Sequence, residues 1–163
     1  MIHETWTELL TLLSRLGLAF VLGLPVGWER ERRARGPGLR TFPLVGLGAC
    51  AYVLIGGRAF ADSEDAQARV LQALLTGVGF IAGGAILKRR AEVHGIATAV
   101  GVWITAAIGA AVAYGYPLLA VMLSLITLLT LHLLKAPRSV TSARQGKGKP
   151  ERERETAGAV EDA

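Results

Sequence analysis

Charge is scarce in this sequence: 19% of its 163 residues are Asp, Glu, Lys or Arg, whereas 52% are hydrophobic. A soluble domain usually carries about 25% charged residues. The charges present are clustered, and the apolar stretches between clusters run to roughly 17–20 residues, the length that crosses about 30 Å of hydrocarbon. Cysteine is nearly absent too. Cys50 stands alone in an apolar run, so no intramolecular disulfide can form, and a small packing residue is the expected role. No paired acid and base, Cys/His metal spacing, nucleophile elbow or phosphate-cradling loop followed by Lys-Ser or Lys-Thr occurs. The expectation is a protein that is no enzyme and carries no cofactor. No apolar stretch holds a mid-depth Asp or Glu, although a divalent-cation path normally needs carboxylates or carbonyl rings at depth.

What is there is a set of five apolar stretches, at residues 9–28, 41–59, 70–87, 96–113 and 118–134. They define an all-α integral membrane protein, with a transmembrane domain over 1–134 and a disordered cytoplasmic tail over 135–163. That tail is rich in Ser, Lys, Arg, Glu and Gly, and cannot bury enough apolar surface to offset its ordering entropy. The first stretch is not expected to be a cleavable leader, because Glu4 and Glu8 stand where a positive region belongs. Thr41 followed by Pro43 reads as a hydroxyl N-cap opening the second helix. Gly115 and Pro117 break the chain into a tight turn before the fifth.

The net charge of +5 does not point to nucleic acid, because the basic residues flank the spans instead of covering a soluble surface. The loop at 29–40 holds Arg30, Arg32, Arg33, Arg35 and Arg40, the loop at 88–95 holds Lys88, Arg89 and Arg90, and seven more lie in the tail. Fifteen basic residues thus fall on one side, against Arg58 and Arg69 in the loops of the other. By the positive-inside rule the first side is cytoplasmic and the N-terminus lies outside.

An internal repeat underlies the pattern. Arg32-Arg33-Ala34, Gly38 and Thr41 recur at an offset of 57 residues as Arg89-Arg90-Ala91, Gly95 and Thr98. Gly27 with Gly84, Val45 with Val102 and Ala49 with Ala106 share that offset. The first four helices are therefore expected to form two parallel helix–loop–helix repeats about an axis along the membrane normal.

Candidate functional residues follow from charge and size. Glu29 and Glu31 are not needed for topology, so their carboxylates are expected to pair with Arg40, Arg89 or Arg90 at the inner face, together with Arg30. The alternative is that they hold Mg²⁺, which favours one or two carboxylates with retained waters. Gly23 with Gly27, and Gly77 and Gly79 with Gly83, allow close helix approach, either inside one bundle or at a dimer seam. Pro25 should kink the first helix. Arg15 lies within a span and is expected to snorkel outward towards Glu8, while His132 reads as an interfacial residue. Asp62, Glu64 and Asp65 form an outward acidic patch with the same two readings, ion pairs or a divalent cation, beside the plain one of a solvated loop.

The strings GLPVGWERERRARGPGLRT from Gly23, TGVGFIAGGAIL from Thr76 and HGIATAVGVW from His94 resemble signature stretches of the MgtC/SapB family of bacterial membrane proteins. The match rests on Gly23, Gly27, Glu29, Arg30, Glu31, Gly38, Leu39, Arg40 and Thr41, then on Gly77, Gly79, Phe80, Gly83, Gly95, Thr98 and Trp103. Pro37 stands where that family usually has Ala, and Phe42 where it often has His. Longer members carry a folded soluble domain after the membrane part. The resemblance implies a multi-pass protein of the inner membrane linked to growth in low magnesium. The expected partners are the lipid bilayer and a second copy or another membrane protein, with Mg²⁺ as the candidate ion. A small Mg²⁺ transporter or channel is the alternative function. The orientation is directly testable: reporter fusions after Arg35, Arg90 and Arg144 should report cytoplasm and one after Asp65 periplasm, and a periplasmic signal at Arg35 or Arg90 would overturn it.

Overall fold

In a computed structural model of the chain, which describes residues 2–33, 38–89 and 92–134, the apolar stretches are helices. They are α1 (Ile2–Arg33), α2 (Thr41–Ala59), α3 (Glu64–Gly84), α4 (Ile96–Ala113) and α5 (Pro117–Leu133). The second and fourth match the expected bounds. The first extends at both ends into polar sequence, because a helix does not stop where lipid stops. The third begins earlier than expected: Ser63 caps it, its hydroxyl accepting from the Ala66 N–H at 3.2 Å. Glu64 and Asp65 therefore form the first turn, where acidic side chains complement the helix dipole, and do not belong to a free loop.

Every element that packs in the bundle is helical. A two-stranded antiparallel hairpin, β1 (Leu87–Arg89) with β2 (Glu92–His94), joins α3 to α4 and pairs Lys88 with Val93. It hands the chain to Gly95, whose φ of +92° suits glycine, and a Cβ there would overlap the Ala85 carbonyl. Thr41 does not cap α2. The N-cap is Arg40, with helical φ and ψ and no side-chain cap, so Thr41 is already the first helical residue. The α4–α5 turn forms as expected. Gly115 takes φ +81°, with Tyr116 N–H on Ala111 O at 2.8 Å and Gly115 N–H on Val112 O at 3.1 Å, the paired bonds of a Schellman ending.

Among the described residues three helices are long and apolar enough to cross a membrane, with spans Thr5–Arg32, Thr41–Ala59 and Ile96–Ala113, and α5 is apolar but shorter. The chain is thus a multi-pass membrane protein. The α4 helix is the hub: 67% of its apolar window is buried, against 17% for α1, and it packs on α1, α2, α3 and α5. Small residues make this possible. A Cβ on Gly109 would overlap the Gly46 carbonyl, and one on Gly46 would stand 3.0 Å from the Ala19 carbonyl, so α1, α2 and α4 meet almost backbone to backbone. One core layer gathers Ala19, Cys50, Val53 and Ile108. A second, nearer the charged loops, gathers Val26, Phe42, Val102 and Ala106.

The expected disordered tail at 135–163 and the residue Arg90 lie outside the described residues. Gly109→Ala should lower the melting temperature in detergent, by a free energy of about 1–3 kcal/mol for overpacking. Gly79→Ala, where a Cβ meets nothing within 4 Å, should be neutral or slightly stabilising because alanine is the better helix former. Equal effects at the two positions would contradict the packing described.

Candidate functional site

At the charged end of α1, three consecutive residues address three different helices. Successive residues of an α-helix point about 100° apart, from 3.6 residues per turn, and α1 packs against α2, α4 and α5. Glu29, only 8% exposed, brings Oε1 to 3.4 Å from His132 Nδ1 in the last turn of α5. Arg30 Nη2 donates to Thr98 Oγ1 of α4 at 2.7 Å, where Thr98 is 2% exposed. Glu31 Oε2 accepts from the Leu39 N–H at 2.6 Å, immediately ahead of α2. A carboxylate at a helix N-terminus meets both unsatisfied N–H groups and the positive end of the dipole.

Glycine and the covered aromatic shape the space around these groups. A Cβ on Gly38 would stand 2.5 Å from Glu31 Oε2, so only glycine lets the carboxylate reach Leu39. Gly27 lies against the Gly38 carbonyl, at 3.1 Å from where its Cβ would stand, and Gly23 against Pro43 Cα at 2.8 Å. Phe42 is fully buried. Its Cε1 would lie 2.9 Å from a Cβ on Gly101, so the ring fills the notch that Gly101 leaves in α4. Arg32 lies over the Trp28 ring, 5.5 Å from its centroid, a cation–π contact at the membrane boundary.

The expected residues thus divide. Glu29, Arg30, Glu31, Gly38 and Thr98 come together with Gly23 and Gly27. Glu29 faces a histidine and Glu31 accepts from a backbone N–H, and the expected pairing with Arg90 lies outside the described residues. Arg40 is exposed, Arg89 is in β1, and Thr41 opens α2. Gly79 and Gly83 lie elsewhere, on one face of α3, and Gly77 on its other side, each with nothing within 4 Å of its Cβ position. His132 is the residue the sequence undervalued. Its signal was available, since His132 closes an apolar stretch as Glu29 closes the first.

Arg15 also departs from expectation. Its Nη1 donates to the Ala113 carbonyl at 3.0 Å, at the C-terminus of α4, instead of reaching for Glu8. The helix α1 runs unbroken through Pro25, and beside the carbonyl that Pro25 frees, Ser124 Oγ donates to Leu22 O at 2.8 Å. As to a metal, Glu29 and His132 are a pair, and among the described residues no group of three His, Cys, Asp or Glu is placed to hold an ion.

A family model described as MgtC family matches residues 16–139. Protein SrpB of Synechococcus elongatus is 37% identical over 143 residues, covering 80% of this chain and 79% of SrpB. The putative magnesium transporter YhiD of Escherichia coli K12 is 37% identical over 125 residues, covering 73% of this chain and 58% of YhiD. Protein MgtC of Brucella abortus is 38% identical over 104 residues, covering 64% of this chain and 43% of that protein. The chain therefore spans little more than half of YhiD and less than half of the Brucella protein. No solved structure matches.

The Arg30–Thr98 contact is open to a double-mutant cycle. Thr98→Val and Arg30→Gln should each lower stability in detergent by about 1–3 kcal/mol, the cost of leaving a buried polar partner unmet. Together they should cost less than the sum of the two, because each removes the same bond. Strict additivity would show the pair to be uncoupled.

Proposed function

The chain belongs to the MgtC family, and from that premise we propose a five-span protein of the bacterial inner membrane that is no enzyme and acts through helix–helix contacts. It has its N-terminus outside and C-terminus in the cytoplasm, and works as a homodimer or as a modulator of another membrane protein. Its role is linked to magnesium-limited growth, a link supported by relatives named MgtC and putative magnesium transporter. The motif cluster at the end of α1 then acts as the structural clamp that holds α2, α4 and α5 in register.

The observation that carries the contact reading is the open face of α3. Gly79 and Gly83, four residues apart on one face of the helix, expose backbone with nothing near, and Phe80 beside them is 86% exposed. Lipid chains pack poorly into such grooves, whereas a second helix gains van der Waals contact by backbone approach. The five-span reading draws support from helix length. At 1.5 Å per residue α3 reaches about 31 Å and α5 about 25 Å, close to the hydrocarbon thickness.

The repeat reading draws support from helix adjacency. Contacts of α1 with α2 are matched by α3 with α4, and those of α1 with α4 by α2 with α3, around a central α2–α4 pair. Phe42 N–H bonds Gly38 O at 3.2 Å and Ala99 N–H bonds Gly95 O at 2.9 Å, the same bond at the 57-residue offset.

The test is cross-linking in native membranes. A Gly83→Cys chain should give a disulfide-linked dimer on oxidation, and adding Gly79→Leu should abolish it while leaving monomer stability unchanged. Purified chain in liposomes should then show no Mg²⁺ flux above empty vesicles. Absence of any dimer or partner adduct, together with Mg²⁺ flux, would assign the chain to the small cation transporters or channels instead.

A further inference from the structure

The helices of this bundle are not of one length, and the mismatch creates a recess at the end opposite the charged motif. Three bonds set the level of α1 against α4 and α5: Arg30 with Thr98, Leu22 with Ser124, and Arg15 with Ala113. The α4–α5 turn therefore sits level with Arg15. The helix α1 continues well past it, to an interfacial Trp6 that is 60% exposed. At 1.5 Å per residue, Trp6 lies about 13 Å beyond Arg15. The end of α2 and the start of α3 continue upward as well, tied together by Gln67 Nε2 on Phe60 O at 3.0 Å. What remains above the turn is a cavity of about 420 Å³ with Arg15, Arg58, Glu8, Gln67 and Tyr114 in its walls. A second cavity of about 310 Å³ flanks Arg15 on its other side, against Ser14 and Pro117.

An arginine within an apolar helix is costly to bury unpaired. The Ala113 carbonyl and the negative end of α4 offset part of that. That contact uses one of five guanidinium N–H groups, and neither Arg15 nor Arg58 has a carboxylate within ion-pair distance among the described residues. Two arginines and one glutamate leave the recess with a net charge of +1. A guanidinium fork is built for bidentate oxyanions, and aromatic residues at the rim mark the depth of lipid headgroups.

We infer that this recess binds a phosphate-bearing anion, held by Arg15 and Arg58, either as a phosphodiester headgroup of the leaflet at that end or as free phosphate. The inference is independent of the α3 contact face. It is tested on the full chain in non-ionic detergent, by thermal shift with short-chain phosphatidylglycerol, with inorganic phosphate, and with a short-chain diacylglycerol that lacks phosphate. Phosphatidylglycerol should raise the melting temperature saturably, and diacylglycerol should not. A shift with phosphatidylglycerol alone identifies the headgroup as the source, and a shift with inorganic phosphate identifies the free ion as sufficient. Arg58→Gln, at an exposed position where the fold tolerates change, should weaken binding about tenfold or more, the ratio expected for one charge-assisted hydrogen bond. Arg15→Lys should weaken it too, since an ammonium cannot make the fork. No saturable shift with either phosphate compound, an equal shift with diacylglycerol, or unchanged binding in both variants would overturn the inference.

Discussion

Lipid tails satisfy apolar side chains as well as other helices do, so a small membrane bundle coheres only where backbones come close enough to gain dispersion and dipole contact. In this chain that place is the crossing of α2 and α4. The Gly46 carbonyl sits where a side chain of residue 109 would be, and Ala19 of α1 closes on Gly46 from the opposite direction. Helix α4 is thereby drawn to the centre, and its run of small residues from Ala106 to Ala113 is a consequence of that position. The charged motif and the recess hang on the same hub, one at each end of α4.

Much of the architecture was legible in the sequence because hydropathy and charge act on whole segments. Residues 41–59 and 96–113 became helices with the expected limits, since polar or glycine-bearing loops bound them sharply. Residues 64–69 were missed because a hydropathy window sees lipid and not the helix, and the cap lies in a single hydroxyl, Ser63. The motif residues were legible as a group, but their partners were not. Charge complementarity says which groups attract, whereas the Leu39 N–H that Glu31 accepts from is placed by the turn at Gly38, which no charge pattern encodes. Arg15 was misread for a similar reason: the level of the Ala113 carbonyl depends on the length of α4 relative to α1, and no local pattern encodes that difference.

The polar contacts at the end of α1 and the open face of α3 give the bundle two kinds of surface. Around α1, polar contacts are specific and turned inward, so each helix has one permitted height. Along α3, Gly79 and Gly83 leave the backbone open, with nothing near their Cβ positions. Phe42 stands between the two, filling the Gly101 notch with a ring where a histidine would bring a polar group into the second core layer.

The fan of Glu29, Arg30 and Glu31 has a further consequence for how such a protein can change over time. Each side chain reaches its own helix because of its angular phase, not because of its distance along the chain. Inserting or deleting a single residue between Trp28 and Glu29 would turn the whole triplet by about 100° and deliver every group to its neighbour's address. Lengthening the loop after Arg33 would leave the phase intact. Variation in length is therefore tolerable on one side of these three residues and destructive on the other, much as a key survives a longer handle but not a rotated bit.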